Sequence, residues 1–157
     1  MKVNIASPRT IVAKNTFGIQ YAALPYRLSG DTLEILLITS RRTRRWIIPK
    51  GWPMEGRQPS MCAALEALEE AGISGEIEKS AIGHYQYLKQ FKLGVSVPCK
   101  VDIFPLKVTR ERKTWAERNQ RERRWCTIAE AAAAVVEPEL RRLIINFGAQ
   151  KAAAAKR

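Results

Sequence analysis

Three carboxylates in one short stretch are the groups best placed to do chemistry: Glu66, Glu69 and Glu70 in ALEALEEAGI. From Ala63 to Gly72 the chain is Ala, Leu and Glu, all strong helix formers, and Gly72 suits the stop. At about 100° per residue, the three carboxylates share one side of such a helix. Met61, Ala64, Leu68 and Ala71 fall on the other side, which predicts an apolar face ready for burial. Like charges one turn apart destabilise a helix unless something offsets them. A hard divalent cation would do so, because Mg²⁺ is held by one or two carboxylates together with substrate phosphates. Taken alone, the same spacing also suits a solvated acidic helix face.

The surroundings favour chemistry. A strand-like RWIIPKG leads in, a Gly-containing turn follows, then the carboxylate helix and a Gly-Ile exit. The order resembles the Nudix box. That pattern runs Gly, a spacer, Glu, a longer spacer, Arg-Glu, an apolar residue, any residue, Glu-Glu, any residue, Gly and an apolar residue. Gly51, Glu66, Glu69, Glu70, Gly72 and Ile73 all stand in register with it. Two positions depart: Arg57 stands where the first Glu is usual, and Leu65 where the Arg is usual.

The resemblance extends over roughly residues 20–145. Ser40-Arg41, then Arg45-Trp46 followed by two Ile and Pro49, are similar to the approach to the box in diphosphoinositol polyphosphate phosphohydrolases. So are Gly75 just past the box, Trp115 in a late loop, and Arg121, Arg123 and Arg124 running into Trp125 before an Ala-rich helix. Lys50 departs, standing where the eukaryotic members commonly carry Gly.

This resemblance implies a pyrophosphohydrolase that uses Mg²⁺, with Mn²⁺ as the alternative, to cleave a phosphoanhydride in a dinucleoside polyphosphate or an inositol pyrophosphate. The catalytic candidates are Glu66, Glu69 and Glu70. Glu66 and Glu70 are the principal metal ligands, and Glu69 is a further ligand or the base acting on water. Gly51 would bring a backbone carbonyl near the metal, since Gly adopts unusual turns cheaply. The family's Arg at the position of Leu65 is expected to orient the carboxylates. A Leu cannot, so a weakened polyphosphate- or RNA-binding module is the competing reading, and Arg57 is a conceivable spatial substitute. Arg forks pair bidentately with phosphate, which makes Arg41, Arg45, Arg121 and Arg123, with Lys50, the substrate-binding candidates. Trp46 and Tyr85 either stack a base or lie in the core, and the lone His84 is read as structural.

Composition sets the frame. At 157 residues, 46% apolar and 27% charged, the chain is expected to be one globular domain. It contains no apolar run near the about 18 residues that a membrane span needs. MKVNIASPRT lacks the apolar core of a signal peptide, so no membrane partner is expected. Cys62, Cys99 and Cys126 form no metal-ligand pattern and read as buried thiols in a reducing cytoplasm. With 27 Lys plus Arg against 15 Asp plus Glu, the net charge of +12 attracts polyanions. A small polyphosphate is one such partner, and an RNA 5′ end is the alternative.

Residues 1–17 read as a basic arm, 18–147 as the catalytic domain and 148–157 as a tail or helical extension. Strands are expected over 18–28 and 32–40 (a hairpin around Ser29-Gly30-Asp31), 46–48, 77–89 and 92–108. Pro98 and Pro105 argue that the last of these is an edge strand or is bulged. Residues 109–124 read as a loop over the site. Helices follow over 127–136, with Thr127 and Glu130 as a capping box, and over 138–147. Strands first and helices later suggest an α+β domain. The resemblance implies an α/β/α sandwich around a mixed sheet.

Overall fold

A computed structural model describes residues 18–155, and the arm expected over residues 1–17 lies outside the described residues. Strands β1 (Gly18–Ser29) and β2 (Thr32–Thr39) form the expected hairpin, closed by Gly30 at a φ of 64°. Short strands β3 (Trp46–Ile47) and β4 (Lys50–Gly51) pair with β2 and β1 respectively. Helix α1 (Pro59–Ala71) carries the three carboxylates. It is followed by β5 (Ile73–Ile77), β6 (Gly83–Gln90), β7 (Ser96–Glu111) and β8 (Arg123–Thr127). Helices α2 (Ile128–Ala134) and α3 (Pro138–Ala155) close the described chain. The expected capping box opens α2, with Thr127 Oγ1 accepting from the Glu130 amide at 3.1 Å and Glu130 Oε1 accepting from the Thr127 amide at 2.9 Å. Of the two alternatives for the tail, residues 148–155 are helix, continuous with α3.

The eight strands form one mixed sheet with the path β3-β2-β1-β7-β5, and the β1–β7 pair is parallel. Strand β7 is central, which corrects the edge placement expected from its prolines. It pairs with β1 along one side, and with β6 and then β5 along the other. The prolines are tolerated because each falls where a partner is missing or changing. Pro98 lies one position before the first β1 pairing, at Cys99, and Pro105 lies between the last β6 partner, Ile103, and the first β5 partner, Leu106. A residue without an N–H costs least at such breaks.

Alternation along the strands feeds two cores, because successive side chains point to opposite faces. Ile35 and Leu37 pack with Ala131, Leu140, Ile144 and Phe147 under α2 and α3. Leu36 and Ile38 pack with Ala63, Ala67 and Ala71 of α1 on the other face. The result is the α/β/α sandwich. All four β2 side chains are fully buried, and each such side chain contributes about 1.5–3 kcal/mol.

Candidate active site

Helix α1 turns a different face to the sheet from the one the sequence suggested. Its buried residues are Ser60, Cys62, Ala63, Glu66, Ala67, Glu70 and Ala71, while Met61 is exposed and Leu65 and Leu68 are half-buried. The reason is size. Three alanines let the helix approach the sheet closely, and the carboxylates of Glu66 and Glu70 come in with them. Glu66 and Glu70 are only 6% and 8% exposed, whereas Glu69 is exposed.

Gly51 receives this face. It lies in β4, held against β1 by the pairs Tyr21↔Gly51 and Ala22↔Lys50. A Cβ on Gly51 would collide with the Glu66 carboxylate, so only glycine leaves that carboxylate its place. The Lys50 amide donates to Glu70 Oε1 at 3.2 Å, and Arg121 Nη2 lies 3.2 Å from Glu70 Oε2. Burial pushes the Glu70 carboxyl above its ordinary range, against the opposing pull of Arg121 and Lys50. Burial likewise brings the Lys50 ammonium down to about 8, the nearby Glu70 acting in the opposite sense. The ammonium sits 4.9 Å over the Tyr87 ring, whose hydroxyl donates to Gln20 at 2.6 Å.

Arg121 is the tightest junction of the site. Its side chain is 6% exposed and bridges Glu70 and Glu117, the latter at 2.7 Å, while Nη1 donates to the Thr39 carbonyl at 3.0 Å. Around it opens a cleft of about 680 Å³ lined by Glu66, Glu69, Glu70, Glu117 and Gly51 on the acidic side. Six cations line the same cleft: Arg41, Arg42, Arg45, Lys50, Lys89 and Arg121. The first three are presented by the turn 40–45, fastened by Ser40 Oγ to the Arg45 amide at 3.0 Å and to Thr43 at 2.6 Å. Arg41 also reaches Gln120 at 3.1 Å, and Arg45 is tied to buried Glu137 at 3.2 Å.

The structure therefore brings Glu66, Glu69, Glu70, Gly51, Arg41, Arg45, Lys50 and Arg121 to one cleft. Arg123 is not among the lining residues. Its guanidinium instead serves the carbonyls of Ala71 and Arg112 at 2.7 and 2.6 Å. Arg57 is exposed and also outside the lining, so the cation beside Glu70 comes from Arg121. Tyr85 is buried in the core and Trp46 packs against that core; neither lines the cleft. Sequence reasoning did not select Lys89, Glu117, Gln20 or Trp52. For Lys89 the signal was present, because alternation along HYQYLKQ puts it on the strand face that carries Tyr87. Glu117 gave none, being one charge among many in a loop.

Among the described residues no three His, Cys, Asp or Glu side chains converge closely enough to enclose a metal by themselves. What is present is two buried carboxylates one turn apart, that of Glu66 packed at a backbone glycine, with an exposed third beside them. That donor set fits Mg²⁺, which keeps several waters and takes substrate phosphate oxygens rather than a closed protein cage.

A three-layer α/β/α domain with an acidic helix facing a cationic cleft is the class of protein that fold and site define. The NUDIX domain family model matches residues 19–147, and the chain belongs to that family. It is 33% identical over 136 residues to Nudix hydrolase 12, mitochondrial, of Arabidopsis thaliana, covering 74% of this chain and 66% of that protein. Against Nudix hydrolase 16, mitochondrial, of the same plant, identity is 31% over 121 residues, covering 75% and 67%. The chain thus spans about two thirds of the length of these relatives. Among solved structures it superposes on a Caenorhabditis elegans Ap4A hydrolase binary complex with a TM-score of 0.65 at 23% identity, covering 87% of this chain and 98% of that one. A MutT protein from Methanosarcina mazei gives 0.64 at 19%, covering 86% and 95%. These likenesses establish the fold. No helix among the described residues is long and apolar enough to cross a membrane.

Proposed function

We propose that this chain is a Mg²⁺-dependent pyrophosphohydrolase that cleaves a phosphoanhydride bond in a compact polyphosphate. The observation that carries the reading is the juxtaposition of buried Glu66, packed at Gly51, and buried Glu70 with six cations around one cleft. Glu66, Glu70 and the Gly51 carbonyl would hold the metal. When bound, Mg²⁺ neutralises phosphoryl charge and lowers the cost of water attack. Arg41, Arg45, Lys50 and Lys89 bind the phosphates and orient the chain of anhydrides. Exposed Glu69 either completes the ligand set or takes the proton of the attacking water. Water adds at phosphorus, the P–O anhydride bond breaks, and two phosphate products leave.

Within that class the lining favours recognition through phosphate rather than base. The ring face of Tyr87 is covered by the Lys50 ammonium, leaving Trp52 as the other aromatic residue of the cleft. This supports an inositol pyrophosphate or dinucleoside polyphosphate, in keeping with the resemblance to the diphosphoinositol branch. Three buried free thiols suit a reducing compartment such as the cytoplasm. A panel of inositol pyrophosphates, dinucleoside polyphosphates, nucleoside triphosphates and 5′-triphosphate RNA, each with and without chelator, tests the proposal. Chelator-sensitive turnover confined to the first two is expected. Preference for RNA, or turnover indifferent to chelator, would refute it.

A further inference from the structure

The last turn of a helix leaves four carbonyls without partners inside the helix. At the end of α1 every one of them is accounted for, two by the segment joining β7 to β8 and one by the first residue of β8. Leu68 O accepts from the Gly72 amide at 3.1 Å. Glu69 O accepts from the Glu117 amide at 3.2 Å, and Glu70 O accepts from Trp115 Nε1 at 3.0 Å. Ala71 O accepts from Arg123 Nη1 at 2.7 Å, and the carbonyl of Gly72 beyond it accepts from the Arg112 amide at 2.8 Å. The Trp115 indole lies flush on Gly72, where a Cβ would come 2.6 Å from it, and the Arg123 guanidinium stacks 3.9 Å over that indole. A guanidinium there also meets the negative end of the helix dipole. Trp115 and Arg123 do not line the catalytic cleft.

We propose that Trp115 and Arg123 are positioning residues for the reaction: by capping Glu70 O and Ala71 O they fix the last turn of α1, and with it the Glu70 carboxylate, without touching substrate. The inference rests on the functional reading above, which makes Glu70 a metal ligand. It also locates the orienting cations of this chain. Position 65 carries Leu, which borders a hollow of about 450 Å³ beside Trp115. The cations that meet the end of this helix are instead Arg121, on the Glu70 side chain, and Arg123, on the helix terminus.

The test compares the wild-type chain with Trp115→Phe, which keeps the ring and removes the N–H, and with Arg123→Lys and Arg123→Met. Three quantities are measured: Mg²⁺-dependent turnover of diadenosine tetraphosphate, calorimetric binding of tripolyphosphate to the metal-free chain, and amide hydrogen exchange. Since small misplacements of reacting groups cost about 100-fold, kcat should fall about 100-fold in Arg123→Met and about tenfold in Arg123→Lys and Trp115→Phe. KM and tripolyphosphate affinity should stay within about threefold, because neither residue contacts the cleft. The amides of Arg112 and Glu117 should exchange faster in the same order. Faster exchange with unchanged kcat would reduce the pair to a helix cap and overturn the proposal. A loss of tripolyphosphate affinity of about tenfold would make Arg123 a substrate contact and also overturn it. If Arg123→Met does not fold, the two conservative variants decide by the same criteria. A wild-type chain that turns over no polyphosphate overturns the functional reading and this inference together. A normal wild type with a kcat-neutral Arg123→Met overturns this inference alone.

Discussion

Replacing Glu70 with Gln separates the chemistry of the carboxylate from its contribution to the fold. Both carboxylate oxygens meet donors, the Lys50 amide at 3.2 Å and Arg121 Nη2 at 3.2 Å. Gln offers one acceptor and one NH₂, so in either orientation a donor faces a donor. The ion pair is lost as well. Yet burial already pushes the Glu70 carboxyl upward despite its two cations, so removing the charge also removes a desolvation cost. The two effects oppose, and Arg121 keeps Glu117 at 2.7 Å as its counter-ion, so no buried charge is left uncompensated and the net change should be within about 1 kcal/mol. In a chain of this size that is a melting shift within about 4 °C. Arg121→Met is the contrasting perturbation. It strands Glu70 and Glu117 with a buried carboxylate uncompensated, which costs about 3–5 kcal/mol and should lower melting by about 6–20 °C. Turnover of diadenosine tetraphosphate at saturating Mg²⁺ and Mn²⁺ binding by calorimetry complete the assay. Glu70→Gln should lose at least about 100-fold in turnover while keeping its melting temperature. A variant that keeps more than about a tenth of wild-type turnover would remove Glu70 from the ligand set.

Leu65→Arg should leave melting within about 2 °C, because a long stem can cover the hollow beside Trp115 while its head reaches water. Turnover should change by less than about threefold, since Arg121 already holds Glu70; a larger gain at constant stability would show that orientation is limiting. Arg41→Ala should raise KM more for longer polyphosphates than for shorter ones, each lost charge-assisted contact costing about 1.5–3 kcal/mol. Equal effects on all chain lengths would count against a phosphate-reading role. Arg45→Ala should do the same and also lower the melting temperature, because buried Glu137 loses its guanidinium and its Oε1 already has no partner among the described residues. Unchanged melting would place little value on that pair. Gly51→Ala should displace the Glu66 carboxylate and abolish most Mn²⁺ binding measured by calorimetry; retained binding would free Glu66 from the site.

The order of elements was legible because local chemistry decided it. Ser29-Gly30-Asp31 sets the first hairpin, Gly72 stops α1, and Thr127 with Glu130 starts α2. The placement of β7 was not legible, because a proline reports only its own missing N–H. Whether a partner stands opposite that point depends on where β6 ends and β5 begins, which is a property of the assembled sheet. The short strand β5 was also hidden. ISGEI has two apolar residues and a glycine, and it is a strand because β7 lies beside it.

The site was legible as a set of residue types and misread as a geometry. An apolar face was expected to bury, with three carboxylates outside; instead two carboxylates lie inside with alanines, while Met61 is exposed and Leu65 and Leu68 are only half-buried. Hydrophobic patterning assumes that each residue takes the environment it prefers, and a helix that obeyed it here would bury its leucines and expose Glu66 and Glu70. The observed orientation runs against that preference by several side chains, so it must be held by specific contacts. Those contacts are visible: glycine at position 51 makes room, the Lys50 amide and Arg121 compensate the charge, and Trp115 and Arg123 secure the helix end. None lies within the helix itself, and the two at its end come from the loop after β7 and from the start of β8, more than forty residues later in the chain. Local rules fail in this chain at the helix that carries the proposed metal ligands, which is where a site placed for chemistry would break them. The rotation of α1 therefore argues for function more strongly than the three glutamates do by their spacing, because a merely solvated acidic face would have no reason to turn inward.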